Sequence, residues 1–242
     1  MRISQPVVSI WIFLLVTTVI AWSITVRDAM MMGIMRDTMG MSPVAYISMW
    51  SVMMAAMMLP SFAPMAAIYD HILGKHTHGL VRILRTTSFI CGYLVIWSAL
   101  GLIAYACSWL MGILLTRMPE ALPWVAVVVF GICGLYQFTS FKDSCLKHCR
   151  SPIGFLFHFG NYRGPFRDLR AGLYHGGYCA GCCAGLMLVM IVTGVMNLIW
   201  MIALAVIIFV EKIWRHGDRF AVFVGYTLIV LAVAVSWYPN LL

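Results

Sequence analysis

Between Leu173 and Trp214 lie 42 residues whose only charged side chains, Glu211 and Lys212, fall near the far end. As one helix, at about 1.5 Å per residue, this block would be about 63 Å long. That is twice the roughly 30 Å hydrocarbon core of a bilayer. The block therefore folds back on itself. The run Thr193-Gly194-Val195-Met196-Asn197 is the expected place, because Gly and Asn tolerate a tight reversal.

Five more apolar segments accompany the two halves of this block. The seven are Val7–Val26, Val44–Ile68, Ser88–Leu115, Leu122–Thr139, Leu173–Thr193, Met196–Val210 and Phe220–Trp237. The chain is 63% hydrophobic and 10% charged, against roughly 45–50% and 25% for a soluble domain. A soluble enzyme, a disordered chain and a disulfide-knotted module are excluded. The expected fold is all-α: one polytopic membrane helix bundle over 1–242, with about seven transmembrane helices in a lipid bilayer. The first run is too long for a signal-peptide core, so it reads as a retained helix. Pro123 opens the fourth span, a permitted first-turn position.

Lys and Arg give the orientation. Thirteen of the 16 fall on one side: Arg2, then Lys75, Arg82 and Arg85, then Lys142, Lys147, Arg150, Arg163, Arg167 and Arg170, then Lys212, Arg215 and Arg219. Arg27, Arg36 and Arg117 fall on the other. The N-terminus is thus expected in the cytoplasm and the C-terminus outside. An external Met-rich loop is expected at about 27–43 and a cytoplasmic Cys-containing loop at about 140–172. This asymmetry accounts for the net charge of +8. No nucleic-acid-binding motif is present, nor a phosphate loop, a nucleophile elbow or a zinc-protease motif.

The sulfur residues are sorted across this topology. Seven of the 8 Cys lie on or near the reducing side, with Cys107 the exception, so free thiols or metal thiolates are expected rather than disulfides. In His175-Gly-Gly-Tyr-Cys179-Ala-Gly-Cys182-Cys183 a helix puts all three thiols on one face, and His175 extends it by one turn. Cys145 and Cys149, four apart, share a face if their segment is helical. Cys is also a small buried hydrophobe, which suits Cys91, Cys107 and Cys133.

Methionine is sorted the other way. Met30, Met31, Met32, Met35, Met39 and Met41 crowd the first external loop. In the second span Met49, Met53 and Met57 form one stripe, with Met54 and Met58 beside it. Thioethers are soft and uncharged and suit Cu(I). They are also ordinary core fillers. The Met-x-x-x-Met spacing resembles the selectivity rings of high-affinity copper transporters. Pro60 is expected to kink this helix and free a carbonyl. His71, His76 and His78, with Asp70, read as a solvated loop. Glu211 is a functional candidate as an acid in a membrane helix, or a partner for an Arg of the 140–172 loop.

Three stretches taken together carry a family resemblance: Trp50-Ser-Val-Met53-Met54-Ala-Ala-Met57-Met58-Leu-Pro60; Lys142-Asp-Ser-Cys145-Leu-Lys-His148-Cys149; and Gly176-Gly177-Tyr178-Cys179-Ala-Gly-Cys182-Cys183 through Met187 to Glu211-Lys212. Over Val44–Lys212 the chain resembles the bacterial family described as predicted metal-binding integral membrane proteins, a domain of unknown function. The resemblance implies a multi-pass inner-membrane protein with a metal site. The matching positions are the Met pairs Met53/Met54 and Met57/Met58, Cys145, Cys149, Cys179, Cys182, Cys183, Met187 and Glu211. Where that family carries an aromatic after the double cysteine, this chain has Ala184.

The leading expectation is Cu(I) handling, by transport or by delivery to a metallochaperone or membrane-complex partner. Zinc is the variant if His175 or His148 joins the thiolates. A metal-free thiol oxidoreductase and a structural subunit of a membrane complex are the alternatives.

Overall fold

The computed structural model describes residues 5–151, 154, 164 and 166–239, with side chains from Ile10 onward. Arg2, Arg163 and most of 152–165 in the expected 140–172 loop lie outside the described residues.

The described residues form eight α-helices and no strand: α1 Gln5–Met32, α2 Pro43–Leu73, α3 Gly79–Arg117, α4 Leu122–Tyr136, α5 Ser140–Arg150, α6 Arg167–Thr193, α7 Leu198–Ile213 and α8 Gly217–Trp237. Six are long and apolar enough to cross a membrane: α1, α2, α3, α4 with the short 3-10 turn before it, α6 and α8. The seventh expected span is α7, which has 16 residues. At about 1.5 Å per residue it is about 24 Å long, shorter than a typical hydrocarbon core. Its outer stripe Ile199, Ile202, Val206, Phe209 and Ile213 is nonetheless exposed and wholly apolar.

The reversal falls where the sequence puts it. α6 ends at Thr193, and Gly194 takes φ 107°, a region that L side chains avoid. Asn197 then caps α7, its side chain accepting from Ile199 N at 3.2 Å and Trp200 N at 3.4 Å. Val195 N donates to Met35 O at 2.8 Å, fastening the Met-rich segment to this corner. α1 runs on to Met32, so Met30, Met31 and Met32 are helical. Ser42 caps α2 by accepting from Ala45 N at 3.3 Å. α2 passes through Pro60 and Pro64 and reaches Leu73. His71, expected in a loop, therefore sits in its last turn, since no Gly or Pro stops the helix before Gly74. Asp70 is buried, ion-paired with Arg82, and accepts from Thr86 Oγ1 at 2.9 Å.

α2 and α6 are the inner helices, and α3 packs against both. The α3–α6 crossing depends on Gly92 and Gly172. A Cβ on Gly92 would strike the Leu169 carbonyl, and one on Gly172 the Phe89 carbonyl. Small residues at such a crossing let backbones touch, which is how membrane helices gain packing without a hydrophobic drive. α5, too short to span, lies against α6 and α7 and brings the second pair of cysteines to the bundle.

Candidate metal centre

Cys179, Cys182 and Cys183 follow the i, i+3, i+4 rule on α6. All three are about 1% exposed, and their sulfurs lie within 4.8 Å of one another. Cys182 Sγ is 3.5 Å from Cys183 Sγ and donates to Cys179 O at 3.1 Å.

α5 supplies the next two thiols. Thr139 caps it, accepting from Lys142 N at 3.3 Å, and the helix sets Cys145 and Cys149 on one face. Cys149 Sγ reaches Cys182 Sγ at 3.8 Å. Cys145 is buried against Gly181, where its sulfur would be 2.8 Å from a Cβ if that glycine had one. Both thiols are pushed up from the ordinary range. For Cys149 the main cause is its hydrogen bond with Cys179, and for Cys145 it is burial. The two cysteine motifs therefore converge.

Two further groups touch Cys179. Tyr93 OH from α3 lies 3.1 Å from its sulfur. Lys212 Nζ from α7 donates to it at 2.8 Å and also contacts Ser61 Oγ on α2 at 3.3 Å. Glu211, one residue earlier, faces elsewhere. Its two carboxylate oxygens accept from Lys142 Nζ at 3.0 and 2.9 Å, and the pair is 1% and 2% exposed. Gln137 Oε1 also accepts from that ammonium. The partner of Glu211 is thus a lysine of α5, not an arginine. Arg150 instead caps the α7 end, donating to Trp214 O at 2.5 Å and Arg215 O at 2.9 Å.

The histidines pack against aromatic rings. His175 is buried among the rings of Phe62, Tyr93 and Phe89, at 5.4, 6.0 and 6.4 Å between centroids. His148 stacks on Tyr178 at 4.3 Å, with Nδ1 3.0 Å from Ser144 O. Among the described residues, the group with ligand atoms inside 4.8 Å contains three thiols and no histidine or carboxylate. That donor set is soft, of the kind that suits thiophilic ions such as Cu(I) and zinc.

Met53, Met54, Met57 and Met58 are all buried at 0–1% exposure in α2. They belong to the same core cluster as the thiols. The link between them is Ser61, the next position on the Met49–Met53–Met57 stripe and the residue that meets Lys212. Met187, one turn past Cys183, lines a cavity of about 350 Å³ with Trp50, Trp97, Tyr136, Gly181 and Ala184. Tyr93 and Lys212 were not expected at the site, and the only sequence signal for them was the adjacency Glu211-Lys212. Lys142, which opens the Cys145/Cys149 motif, is engaged by Glu211 and Gln137.

A family model, PpoB2, described as copper chaperone, matches residues 47–235. These bounds take in α3 through α7 whole and most of α2 and α8. No curated protein matches the chain. No solved structure matches it either.

Proposed function

Because the chain belongs to the PpoB2 copper chaperone family, we propose that it is a multi-pass inner-membrane protein that binds Cu(I) and hands it to a partner. The observation that carries this reading is the convergence of Cys149 on the Cys179–Cys182–Cys183 group. Copper is cargo here. Cys179, Cys182 and Cys183 would hold it, Cys149 would complete the sulfur set, and Cys145 would stand beside them. Met53, Met54, Met57, Met58 and Met187 are the softer, uncharged donors along the way. Exchange from thioethers to thiolates needs no change of oxidation state.

The charge asymmetry orients the bundle with α5 and the thiols toward the cytoplasm and the Met-rich segment outside. Copper then moves from thioethers on the oxidising side to thiols on the reducing side. Glu211 drops out as a ligand in this reading, because Lys142 occupies it, and His175 stands outside the three-thiol group.

Anaerobic titration of the purified protein with Cu(I), against a chromophoric Cu(I) chelator, tests the reading. Wild type should retain copper, and Cys179→Ser or Cys182→Ser should weaken retention by at least about tenfold, as one soft ligand of a small set is lost. No retained copper, or retention indifferent to these substitutions, contradicts it. The Cys149–Cys182 approach also favours a second reading, metal-free thiol exchange. A protein that cycles a disulfide with a thiol partner while holding no copper would support that one instead.

A further inference from the structure

Lys212 stands where the thioether stripe meets the thiols. Met49, Met53, Met57 and Ser61 recur every four residues on α2 and so form one stripe. Its last rung, Ser61 Oγ, lies 3.3 Å from Lys212 Nζ, and that nitrogen lies 2.8 Å from Cys179 Sγ. The ammonium thus already occupies Cys179 Sγ, the sulfur a cation arriving from the stripe would take. A Cu(I) ion on Cys179 and the ammonium beside it repel one another, the more so in a buried site, so the two compete for that sulfur.

We propose that Lys212 is a tethered competitor for Cys179 that keeps copper binding at the thiols reversible. The inference rests on the copper reading above and assigns a residue to its release step. When Cu(I) arrives, the N–H···S bond from Lys212 to Cys179 breaks. The ammonium, still protonated, swings onto Ser61, which it already touches. Cu–S bonds to thioether sulfur break as a Cu–S bond to the Cys179 thiolate forms; a thiol that joins it, such as Cys182, gives its S–H proton to water, and no electron moves. On release the ammonium returns to Cys179 and replaces the departing charge. The site thus holds a positive charge in both states, which lowers the cost of emptying a buried thiolate pocket.

Two substitutions pull in opposite directions. Lys212→Leu keeps much of the bulk, removes the competitor and adds no soft donor, so copper loss to a Cu(I) chelator should slow by roughly tenfold, the factor one charge-assisted hydrogen bond supplies. Ser61→Ala removes the alternative resting place, so the ammonium presses on Cys179 and copper loss should quicken by about threefold, the worth of one ordinary hydrogen bond. Nonspecific loosening of the bundle would quicken both. Opposite signs support the proposal. Unchanged rates, or shifts of the same sign, overturn it even where wild type binds copper. If Lys212→Leu does not fold, Lys212→Gln is read in its place beside Ser61→Ala: slower loss is again expected, and unchanged or quicker loss overturns the proposal. A wild type that binds no copper defeats the underlying reading instead.

Discussion

Cys149 and Cys182 bring their sulfurs within 3.8 Å across the α5–α6 contact, although 33 positions separate them in the chain. A disulfide needs about 2.05 Å between sulfurs, so the two need to close by less than about 2 Å. Mild oxidation with diamide, which accepts the two protons and two electrons, should therefore join Cys149 to Cys182. Peptide mapping under non-reducing conditions reads the link. Cu(I) loading should suppress it. A link between Cys149 and Cys91, which lies exposed on α3, would contradict the geometry.

The Lys142–Glu211 pair fixes α5 to α7. Both charges are almost fully buried, and removing one partner of such a pair costs about 3–5 kcal/mol. Glu211→Gln should lower the unfolding midpoint in detergent and speed alkylation of Cys149, because α5 loses its anchor. Restoring a pair with Lys142→Glu and Glu211→Lys should recover part of both. If Glu211 were a copper ligand instead, Glu211→Gln would weaken copper binding and leave Cys149 alkylation unchanged.

Gly92 and Gly172 carry the closest approach of α3 and α6. Alanine at either forces backbone apart, and such overpacking costs about 1–3 kcal/mol or more. Because α3 brings Tyr93 and α6 brings Cys179, Gly92→Ala should also loosen the Tyr93–Cys179 contact and weaken copper retention. Gly177→Ala is the control, since a Cβ there meets nothing within 4 Å. Equal stability of the two variants would contradict the packing.

Some of this was legible in the sequence for physical reasons, and some was not. The fold-back at Gly194 follows from bilayer thickness alone, and the three-thiol face of α6 from helical periodicity. Periodicity also placed Cys145 and Cys149 together. It could not say that they meet the triad, because that depends on how α5 docks. Lys142 and Lys212 read as topology charges at span ends, where lysine usually reaches for water. Their partners, Glu211 and Cys179, are 69 and 33 positions away, and only tertiary packing joins them. Spacing put His175 one turn from Cys179; that its ring packs beside Phe62, Phe89 and Tyr93 again depends on how α2 and α3 dock.

The α2 methionines separate packing from chemistry. Leu fills nearly the same volume as Met, so Met57→Leu with Met58→Leu should cost less than about 1.5 kcal/mol each in stability. Leu offers no soft donor. Copper uptake into proteoliposomes should then fall by about tenfold, if the stripe carries the ion between leaflets. Unchanged uptake would make these residues core filler and nothing more.

X-ray absorption at the copper edge, on protein loaded anaerobically with Cu(I), tests the central claim most directly. The account predicts a first shell made of sulfur alone, which loses scatterers in Cys179→Ser and keeps its form in His175→Phe. A shell containing nitrogen or oxygen, or copper that washes away without any ordered shell, would contradict it.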